Sequence, residues 1–217
     1  MKTNKRLKIL VMSLLISTNF MFCQEKEVKL RENETLTIYG KESGKVENGV
    51  YNCHKFNWKI KIPENYIIID EKKLDELEQK GNTEFKKRAN TELENSSNLI
   101  GFSLNKNSFS SSFTALSNSK KVTLEEHKKM FLENLNQAFS TIKNAKFEIK
   151  VSNATIGKYH FYKVEVEGYN ASDNQLILTQ IYYNSLIDEH LFAVLITYAD
   201  KIQGQMLEKN FISSMQK

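Results

Sequence analysis

The chain has 217 residues, with 31 Lys or Arg and 26 Asp or Glu, and a formal net charge of +5. Four of the basic residues and none of the acidic ones lie in the first 23 positions, which leaves 27 basic and 26 acidic residues, a net charge of +1, for the rest. This nearly neutral remainder excludes the basic surface that is typical of a nucleic-acid-binding protein.

Residues 1–23 have the pattern of a secretory signal peptide. A basic stretch precedes an apolar run from Ile9 to Phe22, and a polar stretch follows Cys23. The run has 14 residues, whereas a membrane-spanning helix needs about 20. We therefore expect an exported, periplasmic or extracellular protein with no transmembrane span in its mature chain.

Cys23 allows two interpretations of the cleavage site. A bacterial lipoprotein carries its lipid on a cysteine that becomes the first mature residue, and a small residue normally precedes that cysteine. Here Phe22 precedes Cys23, and cleavage after Cys23 would make Gln24 the first residue. Both alternatives stay open: a soluble exported protein, or one anchored to lipid through Cys23.

The first predicted elements follow a polar leader. Residues 24–49 are polar and charged, and we expect a single domain over residues 50–217. From Phe56 to Ile62 apolar and polar residues alternate, which predicts a strand with Phe56 and Trp58 on its buried face. Asp70–Lys80 is predicted to be helical.

A second group of predicted elements begins after a charged stretch. Asn82–Asn98 lacks a strong apolar stripe, and we expect either this stretch or the leader to contact a partner. Leu99–Leu104 and Phe109–Leu116 are predicted to form a hairpin.

The C-terminal half has the clearest signals. Thr123 and Glu126 form a capping box, which predicts a helix over Leu124–Ile142. Leu191 to Tyr198 is apolar on both faces, so we expect it at the centre of the sheet. The predicted meander and its closing helix are Phe147–Val151, Tyr159–Val166, Gln175–Tyr183, His190–Tyr198 and Asp200–Met215. Turn-rich spacers are predicted between the strands at Ser152–Gly157, Gly168–Asn174 and Asn184–Glu189. The closing helix is predicted to be amphipathic, with Ile202, Met206, Leu207 and Phe211 on its apolar side. The order predicts an α+β fold with a mainly antiparallel sheet covered by helices on both faces.

The layout resembles the PsbP-like family. The resemblance lies in the strand that ends at Ile60-Lys61-Ile62-Pro63, in the paired strands from Gly157 to Tyr183, and in the strand Leu191–Tyr198 that leads into a closing helix. It covers roughly Phe56 to Met215. It implies an α-β-α sandwich and a binding or accessory protein, with no shared catalytic residues to transfer.

Cys53 and His54 are the adjacent residues that most suggest catalysis. Neighbouring residues on a strand point to opposite faces, so a strand would separate the two side chains. A loop at this position would let them meet, and that alternative stays open, but we interpret Cys53 as a buried or incidental cysteine without a catalytic role. The other histidines, His127, His160 and His190, have no metal-binding spacing. No nucleophile elbow, dinucleotide-binding fingerprint or phosphate-binding loop is present. We predict no catalytic residue, no metal ligand and no cofactor.

Tyrosine and phenylalanine are frequent in the predicted meander, with Tyr162, Tyr182 and Tyr183 among them. Core packing between strands explains such residues, and a groove for a peptide or a lipid is the alternative. Together these patterns predict an exported, non-enzymatic binding or accessory protein of the cell envelope, with an envelope protein or an apolar ligand as partner. The alternative is a secreted hydrolase with an unrecognised active site.

Overall fold

The computed structural model describes residues 44–70, 72–74, 76, 96–115 and 123–216. These residues form two sheets, two long helices and a short helical segment at residues 72–74 and 76. The strands are β1 (Lys45–Glu47), β2 (Val50–Cys53), β3 (Trp58–Lys61), β4 (Ile67–Ile68), β5 (Ser96–Leu104), β6 (Asn107–Ala115), β7 (Ala145–Ile156), β8 (Tyr159–Asn170), β9 (Leu176–Ile187) and β10 (His190–Tyr198). The long helices are α1 (Leu124–Ser140) and α2 (Lys201–Ser214).

Seven strands form the main sheet, in the order β4-β5-β6-β10-β9-β8-β7. Every neighbouring pair in it is antiparallel. The mainly antiparallel sheet predicted from the sequence is therefore confirmed. The strand β10 lies at its centre, and Leu191 to Thr197 are all buried, as its continuous apolar run predicts. The strands β1, β2 and β3 form a separate antiparallel sheet.

The helix α1 starts at the predicted capping box. The Thr123 hydroxyl accepts a hydrogen bond from the Glu126 backbone N–H, and the Glu126 carboxylate accepts one from the Thr123 N–H at 2.9 Å. This satisfies backbone donors that the first helical turn leaves without partners. One side of α1 packs on the sheet in a group that we call the α1 cluster: Phe131, Leu135, Phe139, Tyr162, Val164, Val166, Tyr182 and Leu195.

The helix α2 packs in a second, larger group of buried apolar residues. The Asp200 carboxylate caps it by accepting from the backbone N–H groups of Ile202 and Gln203. Phe211 packs against Phe161 and Tyr183, with ring centroids 5.9 and 5.1 Å apart. The indole N–H of Trp58 in β3 donates to the Ser214 hydroxyl at 2.9 Å, which joins the small sheet to α2.

Successive residues of the central strands alternate between the two groups. In β8, Phe161 belongs to the group around α2 and Tyr162 to the α1 cluster. In β9, Tyr183 and Tyr182 divide in the same way. This is the period-two alternation of a strand with apolar contacts on both sides.

Two predicted spacers belong to strands. The predicted spacer Ser152–Gly157 lies mostly in β7, which continues to Ile156. The predicted spacer Asn184–Glu189 lies mostly in β9, which continues to Ile187. The turns themselves are short and lie at residues of positive φ: Gly157 in one case, Asp188 and Glu189 in the other. Hydrogen bonding to a neighbouring strand, which composition does not reveal, overrides the turn preference of Asn and Ser.

Further differences concern the ends of the domain. The last part of the predicted leader, Lys45–Glu47, is β1, which pairs with β2. The predicted strand from Phe56 is shorter, because Phe56 and Asn57 lie in a turn, although Phe56, Trp58, Ile60 and Ile62 are all buried as expected. Ile202 is 75% exposed and does not join the apolar side of α2 that we predicted for it.

The other predicted segments fall partly or wholly outside the described residues. These are residues 1–43, most of the predicted helix Asp70–Lys80 and residues 82–95, whereas Ser96–Asn98 start β5. Among the residues that the structure describes, no helix is long and apolar enough to cross a membrane.

Replacing Gly204 with alanine is expected to destabilise the protein. A Cβ at this position of α2 would lie 2.3 Å from Cγ and Cδ1 of Tyr198, far inside van der Waals contact. Alanine improves helix propensity by about 1 kcal/mol, but displacing the tyrosine ring costs about 1–3 kcal/mol. Urea unfolding of Gly204→Ala should therefore show a net loss, and a gain would mean that the Tyr198 ring moves freely.

Candidate functional site

A row of side chains crosses the main sheet on the side of the α1 cluster. Tyr162 of β8 lies directly opposite Asn184 of β9, Asn184 lies opposite Ala193 of β10, and Ala193 lies opposite Ser112 of β6. Residues directly opposite in an antiparallel ladder point to the same face of the sheet. We call these four residues the Asn184 site. Asn98 of β5, opposite Ser112, continues the row.

Asn184 carries two buried polar atoms that form no hydrogen bond with the described residues. Its side chain is 1% exposed, and both Oδ1 and Nδ2 lack a partner. A buried polar group without a partner costs about 1–3 kcal/mol. Native proteins contain few such groups, so this asparagine requires an explanation.

Tyr162, on one side of Asn184, is held by α1. Its hydroxyl group forms a 2.6 Å hydrogen bond with Nδ1 of His127, which lies in the first turn of the helix, and both residues are buried. Burial raises the pKa of Tyr162 well above its usual value, so the hydroxyl group stays neutral. The β8 end of the row is therefore closed by the hydrogen-bonded pair of Tyr162 and His127.

The next residues along the strands are aromatic and apolar. Tyr182, two residues before Asn184, donates a hydrogen bond to Gln180 at 2.9 Å. Its ring meets that of Phe131 edge-on, with centroids 5.2 Å apart. Leu195 of β10 lies opposite Tyr182 and is buried. One flank of the Asn184 site is thus an apolar wall built by the α1 cluster.

The β6 end of the row has short polar side chains. Ser108, Ser110 and Ser112 alternate along β6 on this face and are half-buried. Beyond them, Gly101 of β5 lies opposite Ser110. A Cβ on Gly101 would lie 3.0 Å from Leu74, so the short helical segment lies over β5. Between the α1 cluster and Leu74, this face of the main sheet therefore carries small residues.

A charged cluster between α2 and the main sheet is a weaker candidate for a functional site, because its groups form ion pairs and hydrogen bonds with one another. The Lys163 ammonium lies 2.7 Å from the Glu208 carboxylate and 3.4 Å from that of Glu165. The Tyr183 hydroxyl donates to Glu208 at 2.5 Å. Burial, and then this hydrogen bond, raise the pKa of Tyr183. These bonds join α2 to β8 and β9, which is a structural role.

The residues singled out in the sequence do not meet at the Asn184 site, apart from His127 and Tyr162. Cys53 is 2% exposed at the end of β2, and His54 is exposed in the following turn. His160 contacts Thr155, and His190 packs against Phe56. Within the described ranges, no group of three or more His, Cys, Asp or Glu side chains is placed to hold a metal ion.

Sequence reasoning missed Asn184, because we predicted a turn at that position. A signal was present nearby: Gln180, Tyr182 and Asn184 alternate with apolar or aromatic residues in the segment Gln180-Ile181-Tyr182-Tyr183-Asn184. That period of two is typical of a strand with one more polar face. The prediction that Tyr162, Tyr182 and Tyr183 are core residues agrees with their burial.

Cys53 is expected to react slowly with thiol reagents in the folded protein. Burial raises the pKa of its thiol, which lowers the thiolate fraction, and the thiolate is the reactive form. In a Cys23→Ser variant, where Cys53 is the one remaining cysteine, labelling with Ellman's reagent at pH 8 should be clearly slower in buffer than in urea, because folding both raises the pKa of the thiol and buries it. Equal rates would show that Cys53 is accessible and reactive.

Comparison with known proteins gives a likeness in fold. No protein-family model matches the chain, and no curated protein matches it. Among solved structures it is similar to that of cyanobacterial PsbP (CyanoP) from Synechocystis sp. PCC 6803, with 10% sequence identity and a TM-score of 0.48. The similarity covers 76% of this chain and 87% of that one. That protein bears the name of the PsbP-like family, which the sequence resembles, and the likeness concerns the fold alone.

Proposed function

We propose that the protein is an exported, non-enzymatic binding or accessory protein of the cell envelope, and that it binds a ligand at the Asn184 site. In this proposal the domain is an α-β-α sandwich whose helices α1 and α2 cover opposite faces of the main sheet. The observation that carries the proposal is Asn184, whose two side-chain polar atoms are buried and have no hydrogen-bond partner among the described residues.

A bound ligand would offset the free-energy cost of burying the polar atoms of Asn184 without hydrogen bonds. Leaving polar atoms buried and unpaired destabilises the free protein, while a ligand that pairs with them binds the folded state and stabilises it. The surroundings suit such a ligand, since small-molecule sites are mostly apolar with a few well-placed polar groups. Leu195 and Tyr182 supply the apolar part, and Asn184 and Ser112 supply the polar groups.

The proposed site can be tested by native mass spectrometry of the protein purified from the envelope fraction of the cells that make it. We expect the wild-type protein to carry a bound small molecule, and Asn184→Leu, which keeps the branched shape of the side chain, to lose it. Asn136→Leu is the matched control, because Asn136 is exposed on α1. A wild-type mass without an adduct, or an adduct that persists in Asn184→Leu, would contradict the proposal.

Export is expected to leave one of two N-termini. Signal cleavage gives a chain that starts at Gln24, and lipoprotein processing gives an acylated Cys23. Intact-mass measurement of the protein from the native envelope distinguishes the two products. A full-length chain that starts at Met1 would show that residues 1–23 are not an export signal.

A further inference from the structure

The two unpaired atoms of Asn184 differ in their hydrogen-bonding role. Oδ1 accepts hydrogen bonds and Nδ2 donates them, and both belong to one planar group. Both are buried, and neither has a hydrogen-bond partner in the part of the chain that the structure describes. A single ligand satisfies the pair only if it offers a donor and an acceptor side by side, as a primary amide does, or as the N–H and C=O of one residue do in an extended peptide. A carboxylate offers acceptors alone, and an ammonium group offers donors alone.

The four residues of the Asn184 site carry no charge. Ala193 and Ser112 are neutral, and Tyr162 is kept neutral by its burial and bonded to His127. The ion pairs of Lys163 lie with α2, on strand positions opposite Tyr183, which belongs to the other group of buried residues. Burying an ion without an opposite charge is much more costly than burying a neutral polar group. A ligand group at Asn184 is therefore neutral.

The shape of the site indicates how the ligand lies. Ala193 lies between Asn184 and Ser112, and its side chain has only one carbon. This short side chain leaves space above the sheet beside Asn184. Ser110 and Ser112 are half-buried, so the solvent-accessible end of the row is at β6 and the buried end is at Asn184. Leu195, opposite Ser110, adds apolar surface beside this path. An apolar group attached to the amide would lie against Leu195.

We propose that the Asn184 site recognises a neutral amide group that carries an apolar substituent, with the amide paired to Oδ1 and Nδ2 of Asn184. This inference rests on the proposed function, because it names the ligand chemistry of the same site. The pair can come from a free primary carboxamide, or from the N–H and C=O of one residue in an extended peptide, which belong to two successive amides. In both sources a neutral donor lies beside a neutral acceptor.

Three small probes test this chemistry on the full chain labelled with ¹⁵N. N-acetyl-leucine N-methylamide, which has no primary carboxamide, represents the peptide source. Isobutyramide represents the free carboxamide, and isobutyrate has the shape of isobutyramide with acceptors only. The side-chain NH₂ signals of Asn184 are assigned from their loss in Asn184→Leu. We expect isobutyramide or N-acetyl-leucine N-methylamide to shift these signals saturably at millimolar concentration, and isobutyrate to leave them unchanged.

Two variants test whether the probes bind at Asn184. In Asn184→Leu the backbone amides of Tyr162 and Ser112 should no longer respond to the amides, whereas in Asn136→Leu they should respond as in the wild type. A stronger response to N-acetyl-leucine N-methylamide than to isobutyramide points to a peptide, and the reverse points to a small carboxamide.

Failure of this inference differs from failure of the proposed function. If isobutyrate shifts the Asn184 signals as strongly as isobutyramide, the amide specificity is wrong, while a ligand seen by native mass spectrometry would still support a binding protein. If neither amide gives a saturable shift, as would be the case with a tightly held buried water on Asn184, amide recognition is overturned. The mass measurement then decides separately whether any ligand binds.

Discussion

Phe131→Ala is expected to lower the free energy of unfolding by about 3–5 kcal/mol, as large-to-small changes of buried aromatic residues do. Phe131 is 1% exposed and lies between α1 and the sheet. Its ring contacts those of Tyr182, Tyr162 and His127, with centroids 5.2, 5.9 and 6.2 Å apart. Truncation removes these contacts and leaves a cavity in the α1 cluster, and urea unfolding monitored by circular dichroism measures the loss.

Two further variants show whether the effect comes from packing. Gln137→Ala changes an exposed residue of α1 and should stay within about 0.5 kcal/mol of the wild type. Leu195→Ala removes a side chain of the same cluster from β10 and should cost about 2–5 kcal/mol. A loss below about 1 kcal/mol in Phe131→Ala would mean that α1 does not pack on the sheet as described.

The elements that could be predicted from the sequence are those with local signals. The helix α1 starts at Thr123 because the capping box is formed by residues three positions apart, and no distant contact is needed for it. The central position of β10 follows from its continuous apolar run, since only a strand covered on both faces tolerates such a sequence.

The elements that were missed depend on pairing between strands. The second half of β7 is polar and largely exposed, and it is a strand because β8 pairs with it up to Ile156. The strand β1 is three residues long, and its pairing with β2 defines it. Composition predicts turns or loops in both places, and tertiary hydrogen bonding overrides that preference.

The Asn184 site could not be predicted because it is a product of register. Its four residues come from β6, β8, β9 and β10, and a slip of one residue would turn Asn184 to the other face of the sheet. In the sequence, Asn184-Ser185 is typical of a turn. Only the pairing of β9 with β8 and β10 shows that this asparagine is buried beside Tyr162 and Ala193.

Asn184→Asp is expected to make stability strongly dependent on pH. The new carboxyl group would be buried at a position that is 1% exposed, with no positive charge in its row. Burial raises the pKa of such a carboxyl group by about 3–5 units above the value of about 3.9 in the unfolded chain. The unfolded state therefore loses this proton at lower pH than the folded state, and the free energy of unfolding falls as pH rises above about 4.

The expected loss relative to pH 4 is about 4 kcal/mol at pH 7, since each unit of pKa shift corresponds to about 1.4 kcal/mol. Urea unfolding at pH 4, 5.5 and 7 measures it, and the difference between variant and wild type should grow with each step. Asn136→Asp, the same change at an exposed position of α1, should show almost no such trend. A difference that is equally small at all three pH values would show that water reaches position 184 in the folded protein. In that case Asn184 is solvated and needs no ligand to satisfy it.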